Sequence, residues 1–110
     1  MAEQYDYVIV GAGTAGCVLA NRLTACGKYT VCLLEAGPSD WNPMIHIPAG
    51  FMKTIANPSV NWLYQSEPCP GANGRTIPMP RGKVIGGSSS INGLIFSRGQ
   101  KMDFDVWAQK

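Results

Sequence analysis

Near the start of the chain, two short runs, residues 5–10 and 30–35, are largely apolar and rich in β-branched side chains. Neither shows sustained polar alternation, the pattern of strands buried on both faces in a parallel sheet. Between them, Ala15, Leu19 and Leu23 recur at four-residue spacing with Val18 beside them, while Asn21 and Arg22 take the other side. That spacing predicts a helix from Thr14 with an apolar face and a stop at Gly27. Strand, helix and strand within about 30 residues predict a right-handed parallel βαβ unit.

Beyond this unit the period is lost. Residues 37–83 carry all eight prolines and no sustained helical or alternating pattern, and a structureless stretch of that length is uncommon inside a compact domain. Short helices are expected at 88–96, capped by serines, and at 103–109. A doubly wound fold needs several parallel strands with helices on both faces; two convincing strands and one long helix fall short of it. The expected fold class is therefore α/β, a Rossmann-like opening followed by a long extended loop and short helices. Residues 1–110 are read as the N-terminal portion of a larger domain, incomplete alone.

Composition narrows the class without identifying it. A net charge of +2 with unclustered Lys and Arg argues against a nucleic-acid partner. No apolar run approaches 18 residues and no charged-then-apolar leader stands at the front, so neither a membrane span nor secretion is expected. Cys17, Cys26, Cys32 and Cys69 form no C-x-x-C pair; they read as buried free thiols in a reducing, cytoplasmic compartment. No spacing suggests a metal site.

The chemistry lies in two glycine clusters. Gly11, Gly13 and Gly16 form G-x-G-x-x-G between a predicted strand and helix. In that setting the first glycine permits the tight turn, the second lets backbone approach a pyrophosphate, and the third lets helix and strand pack closely. Free amides around Thr14 and Ala15 would face phosphate along the positive end of the helix dipole. Glu35 ends the second strand 19 residues after Gly16, where a carboxylate accepts hydrogen bonds from an adenosine ribose. The motif implies a dinucleotide and does not separate NAD from FAD; the carboxylate disfavours NADP, whose 2′-phosphate it would repel.

The second cluster runs from Arg81 through Gly86, Gly87, Ser88, Ser89 and Ser90 to Asn92 and Gly93. Paired glycines followed by hydroxyls leave free amides at a helix start, either an anion-friendly turn or a simple capped one. The order G-K-x-I-G-G-S-S-x-I-N, followed by Phe96, Gly99 and Asp105, resembles the first signature of the glucose–methanol–choline flavin oxidoreductases. Leu33-Leu34-Glu35-Ala36-Gly37, Asn61-Trp62-Leu63-Tyr64 and Ser97-Arg98-Gly99 resemble the same family's N-terminal segment, in its choline-dehydrogenase-like style.

The resemblance implies FAD rather than NAD, in a flavin-dependent alcohol dehydrogenase or oxidase that moves hydride from a primary alcohol to flavin N5. It implies cofactor contacts from Gly11, Gly13, Thr14, Ala15 and Gly16 at the pyrophosphate and from Glu35 and Ala36 at the ribose. Val84 and Ser88 would lie along the cofactor, and Asn92, Gly93, Leu94 and Ile95 would approach the isoalloxazine and ribityl chain. Trp62 would shield the adenosine side or simply pack in a loop. Arg81 and Lys83 would add positive field near the phosphates or stand as solvated charge. Some relatives attach flavin covalently through a histidine where this chain has Ile91, so dissociable FAD is expected. The family's catalytic histidine comes from a distant C-terminal region, so no catalytic residue is expected here. The single histidine, His46, matches no such position and reads as structural. The implied partners are an alcohol substrate and the C-terminal remainder of the enzyme, with its substrate domain, in the same or a separate chain. The competing reading is a non-catalytic dinucleotide-binding or interaction fragment.

Overall fold

The computed structural model describes residues 3–110; the first two positions of the expected 1–110 segment lie outside the described residues. Strand β1 (Tyr7–Val10) leads through a glycine turn into helix α1 (Thr14–Thr24), and β2 (Val31–Leu34) returns beside β1. The two strands are parallel in the register Tyr7↔Val31 to Val10↔Leu34, the βαβ opening that the apolar pattern predicts. Asp6 ties the strand starts together. Its carboxylate accepts from the Thr30 amide at 2.7 Å and the Thr30 hydroxyl at 2.9 Å, and those bonds hold its pKa below the ordinary 3.8.

Two expectations about this unit are corrected. The strands are not buried on both faces: Val8 is 60% and Val10 84% exposed, because among the described residues the sheet has two strands and one covering helix. The helix also turns a different stripe inward. Gly16, Cys17, Ala20 and Leu23 are its less exposed positions, while Ala15, Val18 and Leu19 face outward. Small residues let the helix sit close to the sheet, and that closeness decides the packed side.

The proline-rich stretch is ordered by short elements. α2 (Pro43–His46), a 3₁₀ turn at Pro48–Gly50 and α3 (Phe51–Thr54) pack on one another. A two-stranded antiparallel ribbon, β3 (Tyr64–Gln65) with β4 (Pro78–Met79), follows. The buried apolar cluster lies outside the βαβ unit and joins this stretch to the second glycine motif: Val60 meets Val84 and Ile91, with Ile45 packed against them.

The expected helix at 88–96 is a 3₁₀ turn, Gly87–Ile91, that stops at Asn92. Its hydroxyls compete with helical bonding, Ser90 donating back to the Ile85 carbonyl and Ser89 to that of Gly86. Asn92 then ends the turn, donating to the Ser89 carbonyl and accepting from the Leu94 amide at 2.8 Å. The last helix, α4 (Lys101–Ala108), starts two residues before the expected 103 and opens on a reciprocal Gln100–Asp103 capping box.

Candidate functional site

The Gly11 amide donates to the Leu34 carbonyl at 2.7 Å, which fastens the first glycine turn to the end of β2. Helix α1 begins with Gly13 at its N-cap and no side-chain cap, so the opening amides around Thr14 and Ala15 are left for a ligand or water. Gly16 cannot be larger. A Cβ there would fall on the Gly11 carbonyl oxygen and stand 3.4 Å from the Ile9 side chain.

The second glycine cluster closes against the first, a meeting that neither motif announces alone. The Gly86 amide donates to the Ala12 carbonyl at 2.7 Å. Gly87 has φ +63°, and a Cβ on it would stand 2.8 Å from the Gly13 Cα, so the loops touch backbone to backbone. Gly82 packs as tightly against the Gly87 carbonyl, and its amide donates to the Ser88 hydroxyl at 3.0 Å.

Beside this junction lies an open cavity of about 660 Å³, within the range of small-molecule and cofactor sites. Gly11, Gly13, Glu35, Ala36, Trp62 and Ser88 line it, bringing together six of the residues expected at a cofactor. The half-buried Glu35 carboxylate accepts from the Ala12 amide at 2.8 Å and the Gly37 amide at 2.9 Å. A carboxylate offers about four acceptor positions, so it can brace the glycine turn and still receive ribose hydroxyls. Arg81, read from sequence as positive field near the phosphates or as solvated charge, also lines the cavity, as do Tyr64, Gly82 and Gly87, which carried no assignment to it. No period announces Tyr64: it is two positions from Trp62, but Leu63 between them is left-handed at φ +53°, so the alternation of an extended chain does not apply.

The other expected residues stand elsewhere. Thr14, Ala15 and Gly16 form the first turn of α1. Val84 is fully buried in the apolar cluster and does not line the cavity. Asn92 and Leu94 border a separate hollow of about 30 Å³ beside Met44 and Ile45. Gly93 lies near Phe51, and Ile95 is 88% exposed. The described residues therefore bring Gly11, Gly13, Glu35, Ala36, Trp62 and Ser88 to one cavity, with the Asn92–Ile95 group outside it.

Asn61 is the residue that sequence pattern missed. It is 2% exposed, donates to the Ile55 carbonyl at 2.6 Å, and accepts from the Leu63 and Arg81 amides at 3.0 Å each. One side chain thus ties together the end of the α3 segment at Ile55, the chain after Trp62 and the segment that carries Arg81. Beside it, the Trp62 and Tyr64 rings stack with centroids 5.9 Å apart and planes at 4°. The Lys83 ammonium stands 4.8 Å from the Trp62 ring centroid.

Among the described residues, no group of three or more His, Cys, Asp or Glu side chains could hold a metal, and no helix is long and apolar enough to cross a membrane. The four cysteines are free, with Cys26 exposed and the others half-buried rather than fully buried as expected. His46 is on the surface, its Nε2 2.7 Å from the Asp40 carbonyl oxygen; it does not line the cavity.

A family model for the GMC oxidoreductases matches residues 5–110. The chain is 52% identical over 105 residues to an alcohol dehydrogenase (acceptor) of Pseudomonas putida, covering 96% of this chain and 19% of that protein. It is 44% identical over 110 residues to an oxygen-dependent choline dehydrogenase of Photobacterium profundum, covering all of this chain and 19% of the relative. Among solved structures, pyridoxine 4-oxidase from Mesorbium loti superposes with a TM-score of 0.80 at 38% identity, over 96% of this chain and 21% of that one. The chain thus spans about one fifth of the length of the relatives it matches. With its paired glycine motifs, Glu35 and the βαβ opening, the chain belongs to the GMC oxidoreductase family and forms the N-terminal part of that family's FAD-binding domain.

Proposed function

We propose that this segment holds the pyrophosphate and ribose side of a dissociable FAD for an enzyme that oxidises a primary alcohol. The carrying observation is the junction of the two glycine motifs, where Gly87 meets Gly13 and both border the cavity that Glu35 shares. FAD, when bound, supplies the two-electron acceptor that takes hydride at N5 from the alcohol carbon.

The chain's own residues do the holding. The amides at the start of α1 offer donors to a diphosphate, reinforced by the helix dipole. Glu35 offers acceptors to ribose hydroxyls, and Trp62 and Tyr64 supply an aromatic wall. Arg81, also on the cavity wall, supplies positive charge near the anion. Ile91 supports the dissociable reading, because it is an alkyl side chain 3% exposed within the apolar cluster and has no atom able to bond a flavin.

The catalytic base belongs in this reading to a part of the protein outside these 110 residues, along with the rest of the FAD-binding domain and the substrate domain. The exposed apolar faces of β1 and β2 and the fivefold greater length of the relatives support that division. The free thiols support the cytoplasmic placement. The test is to purify the protein, record its visible spectrum, denature it, and ask where the flavin goes. A yellow protein that releases its flavin on denaturation and is reduced by a primary alcohol is expected. Colourless protein, or flavin that stays with the precipitated chain, would refute the reading.

A further inference from the structure

Lys83 does not line the cavity, yet its ammonium stands over a ring that does. Among the described residues that nitrogen has no carboxylate within salt-bridge distance and no hydrogen-bond acceptor. Its backbone is locked: the Lys83 amide donates to the Val60 carbonyl at 2.8 Å, and its carbonyl packs against Gly37. The side chain therefore leaves a rigid point and meets the Trp62 indole 4.8 Å away. Trp62 needs such support. It is 42% exposed and precedes the short strand β3, so little apolar packing restricts its ring.

We infer that Lys83 is a positioning residue for the cofactor site, acting through Trp62: its cation–π contact, with the Tyr64 stack, sets the indole plane before the nucleotide enters. This rests on the FAD reading above. The contact is electrostatic attraction between the ammonium and the ring quadrupole. Its effect on binding is to remove the entropic cost of ordering an aromatic wall when the ligand arrives. A lysine acting instead by direct attraction to phosphate would not depend on the indole. The two roles therefore separate in a double-mutant cycle.

The experiment uses the flavin-stripped full-length protein, with FAD uptake followed by quenching of flavin fluorescence and the melting of the stripped protein measured in parallel. Lys83→Met is expected to weaken FAD binding about three- to tenfold. Lys83→Arg, which keeps a cation able to stack on the ring, should stay within about twofold of wild type. In a Trp62→Leu background, Lys83→Met should add less than about twofold. The melting temperature without FAD should be unchanged by Lys83→Met, which separates positioning from folding. Overturning results are unchanged affinity in Lys83→Met, or a full Lys83→Met effect retained on top of Trp62→Leu. Failure of the unsubstituted protein to take up FAD would overturn the FAD reading as well, and so is distinguishable from failure of the lysine alone.

Discussion

Asn61 offers the sharpest test of how the cavity wall is held. Asn61→Ala removes one donor and one doubly used acceptor, leaving the Ile55 carbonyl and the Leu63 and Arg81 amides without their side-chain partner. At about 1–1.5 kcal/mol for each lost partner at a site this buried, the destabilisation comes to roughly 3–4.5 kcal/mol. That is a large part of the ~5–15 kcal/mol that holds a typical domain folded. The loss is local in its first effect. Leu63 has φ +53°, a left-handed conformation that costs about 1–2 kcal/mol, and the Asn61 side chain is what bonds its amide. Released, Leu63 relaxes and carries Trp62 and Tyr64 with it, so FAD affinity falls along with stability.

Asn61→Asp separates hydrogen bonding from packing. The new carboxyl keeps the acceptor for Leu63 and Arg81 but turns a second oxygen toward the Ile55 carbonyl, which only the protonated acid can bond. Its pKa is then higher folded than unfolded, so the folded state binds more protons and stability rises as pH falls through the raised value. Denaturant unfolding of purified protein across a pH series measures both effects. Asn61→Ala within about 0.5 kcal/mol of wild type, or an Asn61→Asp loss that does not shrink on acidification, would refute the reasoning.

Gly87→Ala places a Cβ in a left-handed backbone and against the Gly13 Cα; FAD titration should show at least about a tenfold loss of affinity, ~1.4 kcal/mol. Equal affinity would mean the two glycine loops need not touch. His46→Asn removes an exposed ring that meets Asp40 and stands apart from the cavity, so steady-state assays should find kcat unchanged; a loss of orders of magnitude would make His46 catalytic. Asp6→Asn removes a carboxylate whose folded pKa is depressed by the Thr30 amide and hydroxyl. A depressed acid stabilises above its unfolded pKa and loses that stabilisation as pH falls through its folded value. The melting difference between wild type and variant should therefore be present at neutral pH and shrink below about pH 4; a difference that grows in acid would contradict it.

Local pattern was enough for the βαβ opening, the G-x-G-x-x-G turn, the acidic strand end at Glu35 and the terminal helix, because each depends on neighbours a few residues away. Apolar runs read as strands, glycines as turns and the carboxylate as a strand-end acceptor without reference to distant chain. The second glycine motif was legible as a motif but not as a helix, since serine hydroxyls and the Asn92 turn compete with backbone bonding over only a few atoms. What tertiary structure alone decided was which faces are covered and which segments meet. The strands' apolar faces, expected to be buried, lie open, while the core forms where Val60 of the aperiodic proline-rich stretch meets Val84 and Ile91 of the second glycine motif. Asn61 bonds Arg81 from 20 positions away, and Gly13 meets Gly87 across 74 positions of chain. Contacts of that kind have no period and leave no signature at either end; they exist only once the backbone has brought the two ends together.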